Sequence, residues 1–160
     1  MAQRDFKYIV LSILDGASHS IEVKNGEGTV SWTAKSPMKY VKNRGKLDTV
    51  RRGDEEAVEV SFSAIYEFLR GDTGDTVLPY EALTRTGNAS AWVSTDPDTC
   101  APYAVDLQIV YTQPCSGAKS ERITFPDFRL EDIGGEEKEG TLSFKGMSNA
   151  TAPTVVRFTP

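Results

Sequence analysis

The chain has 160 residues, 39% of them apolar, with 18 Lys or Arg against 23 Asp or Glu, a net charge of −5, one His and two Cys. That length supports one sizeable core and hardly two, so a single domain over residues 1–160 is expected. A lone histidine leaves little for a His-based metal site or a Ser-His-Asp triad, and no stretch approaches the ~20 apolar residues of a membrane span.

In chain order, "FKYIVLSIL" (6–14) is apolar on both faces in its middle, which predicts a strand between packed layers. The turn "DGASHS" follows, with His19 as a solvated turn residue. "IEVKN" and, past Gly26 and Gly28, "TVSWTA" come next, so the first 34 residues predict a three-stranded meander. No apolar run of signal-peptide length opens the sequence, and a protein that stays soluble in a cytosol is expected.

Residues 35–52, "KSPMKYVKNRGKLDTVRR", carry seven basic residues and one acid, a net +6 that leaves −11 for the rest of the chain. They fall in a connection, 35–56, between two strands. Connections beyond ~12–15 residues without structure of their own are uncommon in compact domains and are usually functional or disordered. The coincidence of length and charge marks this segment as meeting either an outside anion or another copy of the chain.

"AVEVSFSAIYEF" alternates: Val58, Val60, Phe62, Ala64, Tyr66 and Phe68 share one face, and Glu59, Ser61, Ser63, Ile65 and Glu67 the other, a half-buried strand. "RGDTGD" (70–75) is a polar turn without the spaced carboxylates of a calcium loop. "PYEALTRTG" predicts a two-turn helix, with Pro79 in its first turn, Glu81 near the positive end of the dipole and Gly87 as its stop. "YAVDLQIVYT" and "ERITFPDFRL" read as strands flanking the hairpin connection "QPCSGAKS". "GTLSFKGM" and "TVVRF" are further strands. The ten or so strand residues between Cys100 and Cys115 hold their ends ~30 Å apart, far beyond a bridge, so free thiols are expected, or else a bond between subunits.

Chemistry is sparse. Phosphate-binding glycine loops and a C-x-x-C pair are missing, so no cofactor or metal is expected. The carboxylates of "LEDIGGEEKEG" (Glu131, Asp132, Glu136, Glu137, Glu139) read as a solvated loop, because acid-base work needs one desolvated member and nothing around this Gly-rich stretch supplies an apolar pocket. An enzyme is not expected.

This all-β domain with one short helix, a long connection after the first strands, and the closing "EGTLSFKGMSNATAPTVVRF" resembles the tail tube proteins of long-tailed bacteriophages. The resemblance implies two steeply packed antiparallel sheets, a tail-tube-like sandwich or barrel with a helix on the flank. It implies subunits joined into hexameric rings that stack into a virion tail tube, assembled in the host bacterial cytoplasm with tape-measure and tail-tip proteins as partners. Sheets of neighbouring subunits would continue one another around the lumen, removing free edges by closure. The family's long loop reaches to the adjacent ring, and residues 35–56 match it in position. Lys35, Lys39, Tyr40, Lys42, Arg44, Lys46, Arg51 and Arg52 are then the inter-ring contact, and Glu131, Asp132, Glu136, Glu137 and Glu139 the acidic surface that receives it. With about 24 strands at ~4.8 Å and ~40° tilt, the wall closes at roughly 50 Å, wide enough for duplex DNA. A conduit must not hold phosphates, so Glu59, Glu67, Asp106 and Gln108 are the candidates to line it.

Two other readings stand beside this one. A tube-ring protein of a contractile secretion apparatus resembles the same family. A nucleic-acid-binding β module with a basic loop would need aromatics interleaved for stacking, and between 35 and 52 only Tyr40 qualifies.

Overall fold

Alternation builds most of this chain. In the computed structural model, which describes residues 6–26, 29–66, 68–69, 71, 76–115 and 117–159, Val58, Val60, Phe62 and Ala64 are buried along one face of a strand, and Val105, Leu107, Ile109 and Tyr111 along another. The strands are β1 (Ile9–Leu14), β2 (Ser20–Val23), β3 (Val30–Thr33), β4 (Met38–Asn43), β5 (Lys46–Arg52), β6 (Val58–Ile65), β7 (Val105–Tyr111), β8 (Ser120–Glu136), β9 (Thr141–Ser148) and β10 (Thr154–Phe158). One short helix, α1 (Pro79–Thr84), lies between β6 and β7. All pairings are antiparallel, as the sequence led us to expect, and eight strands form one hydrogen-bonded path, β2-β1-β7-β8-β9-β6-β3 with β10 on β8. The path does not close into a barrel. A separate two-stranded sheet pairs β4 with β5.

The long strand β8 turns this path into two layers. Its first half pairs with β7 and β10, and its second half with β9. Between the halves the ladder slips at Val105/Leu107 and at Leu130/Asp132, and Asp127 takes a positive φ of 50°. Bulges of this kind bend a strand. The bend is held by side chains: the Asp127 N–H donates to Asp106 Oδ1 (3.1 Å), and Thr95 Oγ1 donates to Asp127 Oδ1 (2.8 Å). Gly146 faces the bend from β9, where any Cβ would strike the Arg129 carbonyl.

The two layers share one core. Leu11, Ile13, Leu107 and Phe125 come from the first, Val58, Val60, Phe62, Leu142 and Phe144 from the second. Rings meet across it, with Trp32 against Phe125 at 5.8 Å and Phe62 against Phe128 at 6.4 Å, while within the second layer Phe62 lies on its cross-strand neighbour Phe144 at 5.1 Å.

Four local expectations are corrected. The first three strands are not a meander: β3 pairs with β6, at the far end of the path from β2. The cause is Lys24 and Asn25, whose carbonyl and side-chain amide bind Ile65 N–H (2.8 Å) and the Ser63 carbonyl (2.8 Å), carrying the chain to the second layer before β3 begins. β1 is not covered on both sides, since Leu11 and Ile13 are buried but Val10 is exposed. The helix stops at Arg85, in the left-handed region at φ 55°, and not at Gly87. Gly87 is needed for another reason: a Cβ there would collide with the carboxylate of Glu81. Glu81, placed by sequence at the helix dipole, is fully buried and accepts the N–H groups of Gly71 (3.0 Å), Leu78 (3.3 Å) and Asn88 (2.8 Å), gathering the segments around the helix. Finally, the carboxylates from Glu131 to Glu136 stand on the second half of β8, not in a loop, and only 137–140 form the turn to β9. Its glycines permit this: at Gly135 a Cβ would lie 3.0 Å from the Tyr66 ring that packs there.

Candidate assembly interface

The connection expected over 35–56 is largely a β-hairpin arm. β3 and β6 are neighbours, with Thr33 opposite Glu59, and beyond that pair the chain continues outward as β4 and β5. Arg44 (φ 51°) and Gly45 (φ 80°) make its two-residue turn, the positive-φ geometry that matches strand twist. At its base Gly53 N–H donates to the Pro37 carbonyl (2.8 Å), and Lys35 sits 3.9 Å from Glu56. Every residue of both strands is exposed.

Pairing sorts the arm into two faces. Tyr40 lies opposite Val50, Met38 opposite Arg52 and, past a bulge at Val41/Lys42, Lys42 opposite Leu47. Met38, Tyr40, Leu47 and Val50 therefore share one face with Lys42 and Arg52; Lys39, Val41, Lys46 and Arg51 take the other. The apolar side chains are bare, with Leu47 70% and Tyr40 63% exposed. Lys39 stands directly opposite Arg51, a like-charge cross-strand pair that destabilises the hairpin. Among the described residues no carboxylate forms an ion pair with any basic residue from 39 to 52. An isolated two-stranded hairpin is marginal in water.

Of the acidic residues, Asp132 is level with Ser61 in the middle of β6, across Lys145, and only Glu136, Glu137 and Glu139 lie at the end of the layer away from the arm. β6 runs from the arm, at Val58, to Ile65 opposite Thr141, and Tyr66 N–H donates to the Gly140 carbonyl (2.7 Å) beside the turn carrying Glu137 and Glu139. Eight strand residues at ~3.3 Å separate the two features by about 25 Å. Glu131, Asp132, Glu136, Glu137 and Glu139 are all exposed, and Asp132 pairs in register with Lys145.

The lumen candidates are not brought together. Glu59, opposite Thr33 and Met147, faces outward from the second layer. Asp106 and Gln108 face outward from the first, Gln108 in a row with Ser12 and Thr124. Asp106 is engaged at the β8 bend, and burial pushes its carboxyl above the ordinary value despite the Asp127 N–H. Glu67 lies outside the described residues. The sequence reading missed the outward face of the second layer, where Ser31, Ser61, Ser63 and Ser143 line a groove of about 490 Å³ and the Ser31 and Ser61 hydroxyls meet at 2.7 Å. The period-two serines of "VSFSA" were its signal.

Elsewhere Asp15, with its side chain fully covered, fastens the β1–β2 turn. Its carboxylate accepts the N–H groups of Ala17, His19 and Val93 (3.0 Å each) and faces His19 Nδ1 at 2.7 Å, and the His19 ring stacks on Trp92 at 5.8 Å. Burial pushes the Asp15 carboxyl up, but these donors together hold it below the ordinary value. Cys100 and Cys115 are exposed and unbonded, at the two ends of β7. Among the described residues there is no cluster of three or more metal-ligating side chains and no helix long and apolar enough to cross a membrane.

No protein-family model matches the chain, and no characterised protein matches it in sequence. In structure it is similar to a chain of the sheath/tube terminator of an extracellular contractile injection system, PVC, in the extended state, with TM-score 0.51 and 7% identity over 98% of both chains. The fold is phage-tail-like. A chain of the six-fold-symmetrised anti-feeding prophage baseplate also aligns, with TM-score 0.47 and 8% identity over 98% of this chain and 97% of that one. At such identity the phage-tail-like likeness is one of backbone architecture, and it transfers no residue roles.

Proposed function

We propose that this chain is a structural subunit of a tail-like tube, joining copies of itself into hexameric rings that stack head to tail around a lumen. The observation that carries this reading is polarity. A basic arm projects from one end of the β3–β6 pair and Glu136, Glu137 and Glu139 stand exposed at the other, the arrangement that lets the head of one copy meet the tail of the next. A contact between two different surfaces does not close on itself as a two-fold dimer does; it propagates, as a tube requires. The role is non-enzymatic and needs no cofactor. In a virion tail the lumen conducts DNA without binding it, with tape-measure and tail-tip proteins as further partners. The likeness to an injection-system terminator supports a second setting for the same role, a contractile particle.

Negative-stain microscopy of the purified chain over a concentration series tests this reading. Six-fold rings or hollow tubes are expected, together with no salt-dependent retention on DNA-cellulose. A chain that stays monomeric at all concentrations, even when seeded with a preformed tube end, overturns it. Retention on DNA without rings moves the arm to the nucleic-acid reading.

A further inference from the structure

We propose that the arm of one copy seats on the apolar patch Ile65, Phe68 and Leu69 at the acidic end of β6 in another copy. The inference rests on the self-assembly reading above and adds to it the contact surface that binds. Phe68 is 84% exposed, Ile65 44% and Leu69 38%, large apolar side chains at the surface. Ile65 lies opposite Thr141, itself opposite Glu136, and Phe68 and Leu69 follow Ile65 by three and four residues, at most about 14 Å of chain away.

The arm matches that patch in two independent respects. Its face of Met38, Tyr40, Leu47 and Val50 is apolar where the patch is apolar, and it is flanked by arginine and lysine where the patch is flanked by glutamate. Within one copy the two surfaces sit at opposite ends of β6 and do not meet, so the occupant is a second copy. Seven such side chains alone fall short of the ~1,000 Å² that marks a specific interface, and repetition around a ring supplies the rest. Burial of Tyr40, Leu47 and Phe68 then gives the contact its strength, and the flanking charges give it register and partner choice.

The test uses the full chain with Cys100→Ser and Cys115→Ser as background. Leu47→Cys in one preparation and Phe68→Cys in another are mixed under oxidising conditions. The expected product is a crosslinked dimer that forms only from the mixture and only under assembling conditions. Phe68→Ser should raise the concentration needed for assembly about tenfold without moving the melting temperature, because the side chain is exposed. If the background protein forms tubes, yet Phe68→Ser assembles at its normal concentration and no mixed crosslink appears, this seat is wrong while the tube reading stands. If the background protein forms neither rings nor tubes, both fall.

Discussion

Lys39 faces Arg51 across the arm, so the hairpin carries a like-charge pair that a partner's carboxylates can relieve. Replacing Arg51 and Arg52 with Glu should therefore move two properties in opposite directions. In the isolated subunit the Lys39–Arg51 repulsion becomes a Lys39–Glu attraction, each worth roughly 0.2–1 kcal/mol, so the arm should gain about 1 kcal/mol of local stability. In the assembly two favourable rim contacts of about 0.2–1 kcal/mol each are lost and repulsions of similar size replace them, about 1–3 kcal/mol per arm. That is about 5- to 150-fold in the affinity of a single arm, and every arm of a ring adds to it. Hydrogen exchange should show slower opening of residues 38–52 in the variant monomer, while sedimentation at 50 mM salt shows assembly shifted to higher concentration. Wild-type protein in 0.5 M salt should resemble the variant, since exposed charges are screened within a few ångströms there. A variant that assembles at the wild-type concentration in low salt, or whose arm exchanges faster than wild type, would refute the charge-pair reasoning.

Glu81→Gln puts an amide NH₂ against backbone donors that now have a carboxylate oxygen, and a loss of about 1–3 kcal/mol is expected, read as a drop of about 2–4 °C in melting temperature per kcal/mol. Asp15 has its carboxyl lowered in the fold, so its contribution is fully present above the unfolded value near 3.9 and fades as pH falls through the lower folded value. Asp15→Asn should flatten that acid limb in denaturant melts recorded from pH 5 downward and cost about 1–3 kcal/mol at neutral pH; an unchanged limb counts against the assignment. Tyr103 donates its hydroxyl to the Ala82 carbonyl at 2.9 Å, and burial pushes it up to about 12. Tyr103→Phe should remove one late-titrating phenol from the ultraviolet titration and cost about 1 kcal/mol.

The strands that bury one face were readable because alternation reports burial directly, as in Val58 to Ala64 and Val105 to Tyr111. What alternation does not encode is the partner: nothing local to "TVSWTA" says that it pairs with β6, which follows from Lys24 and Asn25 binding Ile65 and Ser63. The arm reads as a loop in the sequence because neither of its faces is buried in the subunit, and Arg44-Gly45 lacks the Asn-Gly signature of a tight hairpin turn. β8 beyond Leu130 was hidden by Gly134 and Gly135, residues that ordinarily end a strand and here make room for Tyr66.

The candidate interface divides in the same way. Which residues are charged is visible in the string, but a count of charges along a chain has no direction in space. Direction comes from β6, whose first residue adjoins the arm and whose last adjoins the Glu137–Glu139 turn. Placed on one end, the same charges would pair within the subunit and leave nothing for a neighbour. Held apart by a strand of eight residues, about 25 Å, the arm and the Glu136–Glu139 end lie well beyond the ~8 Å over which exposed charges act at physiological salt. Neither end then neutralises the other within one subunit, and in the proposed tube each copy that docks would present the next free end.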